Sequence, residues 1–281
     1  MLTRKGKLYG DLTVACMDDN EFMIFGSGAA QEMHRRWFES HIGKFNLEYK
    51  NRSDDFHGLA ISGPKSREVL QKVVRDNVSN EKFKFRDSRR MYVAGVPAIV
   101  NRISFTGELG YEIYVAPHYQ IKLYEELTEA GKEFNIKPFG GRALMSMRLE
   151  KNWGAWTLDY RPDFTAKETG LDAFINWDKE FIGKESAQKE NSSNKLIPLI
   201  VETNEIDVTN NEAVLNGDQS IGYVTSGGFA HFVNKSVAFT FVDQKNINSE
   251  NKIQVEINGD LFNCSIIKEP LYDPSGQKMR S

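Results

Sequence analysis

No apolar run in this 281-residue chain approaches the ~20 residues of a membrane span. The opening Met1–Gly6 lacks the apolar stretch of a signal peptide. Cysteine is scarce: Cys16 and Cys264 are far apart and have no CxxC spacing, which argues against a disulfide framework or a zinc knuckle. Two thiols in such a setting fit a reducing, cytoplasmic compartment. No GxGxxG follows an opening strand, and neither GxxxxGK[ST] nor GxSxG occurs, so dinucleotide, P-loop and hydrolase signatures are missing. His34, His41, His57, His118 and His231 show neither HExxH nor clustered spacing, so no metal is expected. There is no excess of positive charge either. Lys plus Arg total 36 against 39 Asp plus Glu, a net charge of −3 that gives no support for nucleic-acid binding.

What is present is ordinary for a globular protein: 40% apolar and 27% charged residues, in a length sufficient for roughly two domains. Leu8, Gly10, Leu12 and Val14 alternate with Tyr9, Asp11 and Thr13, which predicts a strand. Glu21–Phe25 reads as its hairpin partner across a turn at 17–20, and a helix follows over 29–41. From about Asp54 the order is strand (57–62), helix opened by Gly63-Pro64, strands over 91–103 around a Gly95-Val96-Pro97 turn, strand (111–115) and helix (119–134). That order predicts a ferredoxin-like antiparallel subdomain over 54–137. A helix is expected over 142–151. After a polar linker at 189–195, six short strand-like runs between 196 and 267 are separated by tight turns such as Asn216-Gly217 and Asn258-Gly259. The expected class is α+β: an antiparallel-sheet domain over 1–193, then an antiparallel β-barrel or jelly roll over 194–281.

The most informative run is Arg102-Ile-Ser-Phe-Thr-Gly-Glu-Leu-Gly-Tyr-Glu-Ile-Tyr114. It predicts two strands joined by a tight connection at Thr106–Gly110. Alternation then sets Glu112 between Tyr111 and Ile113. A strand carboxylate in apolar company needs a partner, since unpaired burial is costly. An ion pair with Arg102 is one solution and a ligand is another.

This run resembles the signature TGYTGExGxE of the glycine-cleavage T-protein (aminomethyltransferase) family. Lys5–Val14 is similar to the family's strand before its catalytic carboxylate. Arg148–Lys151 with Ala155–Asp159, Phe181–Lys184, Val224–Gly228 with Lys235–Phe239, and Glu269–Pro274 look like the folate-binding module of dimethylglycine and sarcosine dehydrogenases. The resemblance implies tetrahydrofolate binding and capture of a methylene unit from N-methyl amine breakdown as 5,10-methylenetetrahydrofolate. It implies that Asp11 is the catalytic carboxylate beside the folate nitrogens, that Glu112 binds the pterin edge, and that both line one cavity. A carboxylate accepts two parallel N–H bonds from an aminopyrimidinone as it does from Arg. Phe105 matches an aromatic of the folate pocket, where Tyr is commoner. Tyr111, Trp153 and Trp156 are further ring-contact positions, or plain core.

There are departures. Leu144-Met145 stands where the family's Arg-Asp precedes Arg-Leu-Glu, which argues against a lipoyl-protein partner. The Arg-bearing segment of the barrel is unmatched at Thr203–Asn211, leaving Arg142 or Lys235 to hold the glutamate tail of folate. In the family several dozen residues precede the strand of Asp11, and in the dehydrogenases an FAD domain precedes those. No FAD site is therefore expected in this chain. Apolar surface is expected near Leu8, Leu12 and Val14, to be covered by a homodimer or an FAD-containing partner. Other readings are an aminomethyltransferase with a different amine donor, a non-catalytic folate-binding protein, and a structural remnant.

Overall fold

The computed structural model describes residues 1–203, 205–247 and 252–281. The chain forms two compact units that interleave in sequence: Met1–Leu12, Gly26–His34 and Met145–Tyr272 make the first, and Thr13–Phe25, Arg35–Leu144 and Asp273–Ser281 the second. Within the first unit, residues 145–175 pack on the barrel. Leu149 shares a core with Val237 and Phe239, and the Phe164 ring stacks on Phe241 at 3.9 Å.

The second unit opens with a hairpin of β1 (Thr13–Asp18) and β2 (Glu21–Phe25). The expected strand over residues 8–14 begins later, at Thr13. β2 ends at Phe25, the partner of Thr13, and Gly26 follows, so residues before Thr13 do not extend this hairpin. Helix α1 (Gln31–Ile42) follows, running from one unit into the other. Then come β3 (His57–Ser62), α2 (Ser66–Val73), β4 (Ser88–Val93), β5 (Val96–Asn101), β6 (Gly110–Val115) and α3 (Gln120–Gly131). The four strands form an antiparallel sheet in the order β3-β6-β5-β4.

The β4–β5 turn falls on Ala94 and Gly95, at φ 52° and 78°, rather than on residues 95–97. Two positive φ values suit a right-twisted two-residue hairpin. Pro97 precedes Ala98, the first β5 residue paired with β6, so its missing N–H breaks no bond on that side. The β5–β6 connection spans residues 102–109 and is longer than expected. One sheet face carries the core: Ala98, Val100, Tyr111, Ile113 and Val115 pack with Leu70 of α2 and Leu123 of α3.

The first unit is a closed six-stranded barrel in the order β10-β7-β12-β11-β8-β9. Its strands are β7 (Asn194–Val201), β8 (Ala213–Asn216), β9 (Gln219–Ala230), β10 (Lys235–Asp243), β11 (Ile253–Ile257) and β12 (Asp260–Ile266). Among its described residues the only helical turn after β7 and before Ile267 is a single 3₁₀ turn at Gln244–Asn246. Outside the barrel lie α4 (Gly141–Glu150), whose first turn belongs to the other unit, and two short helices, α5 (Ala166–Thr169) and α6 (Lys184–Gln188). A four-residue α7 (Gln277–Arg280) ends the second unit.

A fully buried carboxylate, Asp159, ties the segment after α4 to the barrel. Its Oδ2 accepts from Arg148 Nη1 at 2.6 Å and from the Ala155 amide at 2.9 Å. Its Oδ1 accepts from the hydroxyls of Thr225 (2.5 Å) and Ser226 (2.6 Å) on β9. Glu150 accepts the Phe232 amide at 2.7 Å, and Lys151 Nζ donates to Tyr272 O at 3.0 Å. Three of the stretches that carried the family resemblance thus meet in one polar lattice. Burying two charges is sustainable only when every lone pair is used, and removing one partner strands the other. Asp159→Ala is expected to cost about 3–5 kcal/mol by urea denaturation. Arg148→Met combined with Asp159→Ala should cost less than the sum of the single changes, because no uncompensated charge remains.

Candidate functional site

Glu112 lies in the middle of β6, opposite Ala60 on β3 and Asn101 on β5. Period-two alternation sends Tyr111, Ile113 and Val115 into the core and leaves Glu112 and Tyr114 on the other face. That face is open on the β3 side, where Gly58 and Ala60 are exposed. Glu112 is half-buried, and no cation pairs with it among the described residues. Burial pushes its carboxyl above the usual carboxylate range, opposed by a hydrogen bond from the Tyr114 hydroxyl to Oε2 at 2.7 Å. Burial, and next the Glu112 charge, push the Tyr114 phenol up in turn. The Tyr114 ring lies 4.7 Å from Phe25 of β2. Asn101, 1% exposed, accepts from the Ser88 hydroxyl at 2.6 Å.

The alternative ion pair does not form. Arg102 is fully buried, and its guanidinium donates to Asn80 Oδ1 (2.6 Å), to Phe83 O and to Ser281 O. Phe105 is half-buried in the loop before β6. There the Ser62 and Thr106 hydroxyls are hydrogen-bonded at 2.5 Å, and Gly107 N donates to Ser104 Oγ at 3.0 Å. Gly110 sits in a tight space: a Cβ would stand 3.2 Å from Ile103 O and 3.3 Å from Ile61 O, so a larger residue would require the backbone to shift by a few tenths of an ångström. Of the two readings for Tyr111, the structure places it in the core, 1% exposed and 5.8 Å from the Phe83 ring. Arg142 is exposed in the first turn of α4.

Asp11 belongs to the other unit. The chain leading to it is docked by Leu8 N to Phe164 O (2.8 Å) and by a bridge between Lys7 and Thr165, the capping residue of α5. Leu8 is 3% exposed and packs with Tyr160 and Phe164, so the apolar surface expected there is buried; Val14, at 60%, is exposed. Asp11 keeps part of its side chain in solvent, while surrounding protein displaces enough water to raise its carboxyl pKa. Tyr160, electrostatically coupled to Asp11, is pushed up to about 12, chiefly by burial. Burial lowers the pKa of His34, whose ring abuts the α-carbon of Gly10 and lies 5.7 Å from the Trp156 ring. Trp156 is half-buried on the Leu8–Tyr160 cluster. Trp153 is half-buried, with the Lys151 ammonium 5.7 Å above its ring, a structural contact. Lys235 is exposed at the start of β10. Two surface clefts, of about 620 Å³ at Arg4 and Glu180–Gln188 and about 230 Å³ around Thr165 and Trp177, do not include Asp11.

Reading the sequence singled out neither Tyr114 nor Asn101. Tyr114 was accessible to it, because residues two apart on a strand share a face. Asn101 needed the register of β5 against β6. Among the described residues no group of three or more His, Cys, Asp or Glu is placed to hold a metal, and no helix is long and apolar enough to cross a membrane.

Comparison with known proteins places these features. Residues 1–179 match the GCVT N-terminal domain, and residues 194–273 match the glycine cleavage T-protein C-terminal barrel domain. The chain is 34% identical over 279 residues to mitochondrial dimethylglycine dehydrogenase of Homo sapiens, covering 96% of itself and 32% of that relative. It therefore spans about a third of the length of that protein. It is 31% identical over 283 residues to an aminomethyltransferase of Thermoanaerobacter pseudethanolicus, covering 99% of itself and 76% of the relative. The glycine cleavage system aminomethyltransferase T of Bartonella henselae shares its fold, with a TM-score of 0.84 at 20% identity over 98% of this chain and 75% of that one. With both family domains matched in order, the chain belongs to the glycine-cleavage T-protein, or aminomethyltransferase, family.

Proposed function

We propose that the chain performs folate-dependent one-carbon transfer, taking up a methylene unit released from an N-methyl amine of the dimethylglycine or sarcosine type. The observation that carries this reading is Glu112: a half-buried, desolvated carboxylate on an open sheet face, with no cationic partner among the described residues. Such a group is an acceptor in need of donors. The edge of a 2-amino-4-oxo pterin offers two parallel N–H groups, which is the geometry a carboxylate takes up best. Tetrahydrofolate, when bound, supplies the nucleophilic nitrogens that receive the carbon.

This chain's residues recognise, orient and stabilise charge. Glu112 fixes the pterin edge, and Phe105 offers a flat apolar contact. Asp11 is the catalytic carboxylate: its negative charge favours positive charge developing on the reacting nitrogen, and its raised pKa brings it nearer to proton exchange with that nitrogen. Arg142 or Lys235, both exposed, meet the glutamate tail. An FAD-containing partner is the proposed source of the carbon, as the resemblance to the dehydrogenases implies.

Removing a charged, paired contact costs roughly 1.5–3 kcal/mol. Glu112→Ala is therefore expected to weaken tetrahydrofolate binding by about 10- to 150-fold in a calorimetric titration. Asp11→Ala should leave affinity near wild type and slow formaldehyde capture by roughly 100-fold or more, because its role concerns charge that develops during reaction. Equal, negligible effects of both substitutions would return the two carboxylates to structural roles and favour a remnant without folate chemistry.

A further inference from the structure

Tyr114 is placed as though Glu112 were its purpose. The two side chains leave β6 on the same face, two residues apart, and the phenol donates to Oε2 at 2.7 Å. The ring is held from two sides. Phe25 packs against it at 4.7 Å. Across the β3–β6 ladder its register partner is Gly58, where any Cβ would stand 3.0 Å from the ring. Glycine at 58 thus lets the aromatic ring lie over β3 and bring its hydroxyl back to Glu112. A strand interior ordinarily disfavours glycine, so its use here marks a close approach.

The surroundings leave Tyr114 to manage the charge on Glu112. The register neighbours of Glu112 are Ala60 and Asn101, both uncharged. The hairpin contributes Phe25, and Ile99 faces Tyr114 from β5. No Lys, Arg or His contributes to the balance that burial and Tyr114 strike at this carboxyl. A carboxylate has about four lone-pair sites; one is used by the phenol, and Oε1 and the remainder of Oε2 stay free.

We propose that Tyr114 is a positioning residue that keeps Glu112 ionised and aimed, so that the carboxylate can accept the paired N–H groups of a pterin edge. This rests on the folate reading of Glu112 given above. A protonated Glu112 loses one of its two acceptors and the charge that strengthens both bonds. Loss of the Tyr114 hydroxyl removes the one hydrogen bond that opposes desolvation, so the carboxyl titrates at higher pH. Below that point the ionised fraction, and with it the affinity, falls.

The test is tetrahydrofolate affinity from about pH 8 to about pH 5 for wild type, Tyr114→Phe, Glu112→Gln and the double variant, with thermal melts to establish that each is folded. Tyr114→Phe keeps the ring and its packing on Phe25. Its expected signature is an acid limb moved to higher pH, with a variant-to-wild-type Kd ratio that grows as pH falls and reaches roughly tenfold or more. In the Glu112→Gln background the same substitution should leave the pH profile unmoved, because the titrating group is gone. A pH-independent loss in Tyr114→Phe, or an equal loss in both backgrounds, would show a purely packing role and overturn the proposal. If Glu112→Gln weakens binding while Tyr114→Phe leaves the profile unchanged, this inference fails and the folate reading stands. If Glu112→Gln binds as wild type does, both fail together.

Discussion

The two-residue period of β6 is the constraint on which the candidate folate half-site depends. One run of six residues serves two masters. Tyr111, Ile113 and Val115 build the core with α2 and α3, while Glu112 and Tyr114 are delivered to the opposite face. A slip of one residue would bury the carboxylate and expose the core set. Several devices resist that slip. β6 is central, with antiparallel partners on both sides, and Gly110 fits closely between Ile103 O and Ile61 O. The hydrogen-bonded pair Ser62–Thr106 fixes the loop that feeds the strand.

The other unit solves a different problem. There the acidic group of interest, Asp11, lies outside regular secondary structure and is carried by a docked extended segment. Its placement depends on Leu8, buried among Tyr160 and Phe164, and on main-chain bonds to Phe164 and Thr165. The segment bearing Tyr160 is anchored in turn by Asp159, whose two oxygens take four donors from α4, the following loop and β9. Several of the stretches on which the family resemblance rests therefore hold segments against the barrel.

Much of this was legible in the sequence. Strands β3, β6 and β11 and the all-β tail follow from alternation and turn chemistry, which are local signals. The barrel's closure and its strand order are not local, and no residue pattern announces that β7 pairs with both β10 and β12. The start of β1 was misplaced because alternation over residues 8–14 continues past the point where its partner strand ends. Tyr111 stood as a ring-contact position or plain core, and its parity on the strand places it with the core. Arg102 stood near Glu112 in sequence and suggested an ion pair. The structure instead spends its guanidinium on Asn80, Phe83 and Ser281. The interleaving of the two units reflects α1 and α4, each of which runs from one unit into the other.

Amide hydrogen exchange with and without tetrahydrofolate tests the central claim most directly, because it reports where the ligand acts without altering a residue. If the face bearing Glu112 and Tyr114 takes the pterin, added tetrahydrofolate slows exchange across residues 103–110 and at the exposed edge strand β3. Barrel strands β11 and β12 should be left as they were. No change in any peptide at saturating ligand, or protection confined to the barrel, would contradict the assignment of Glu112 as the pterin-binding carboxylate.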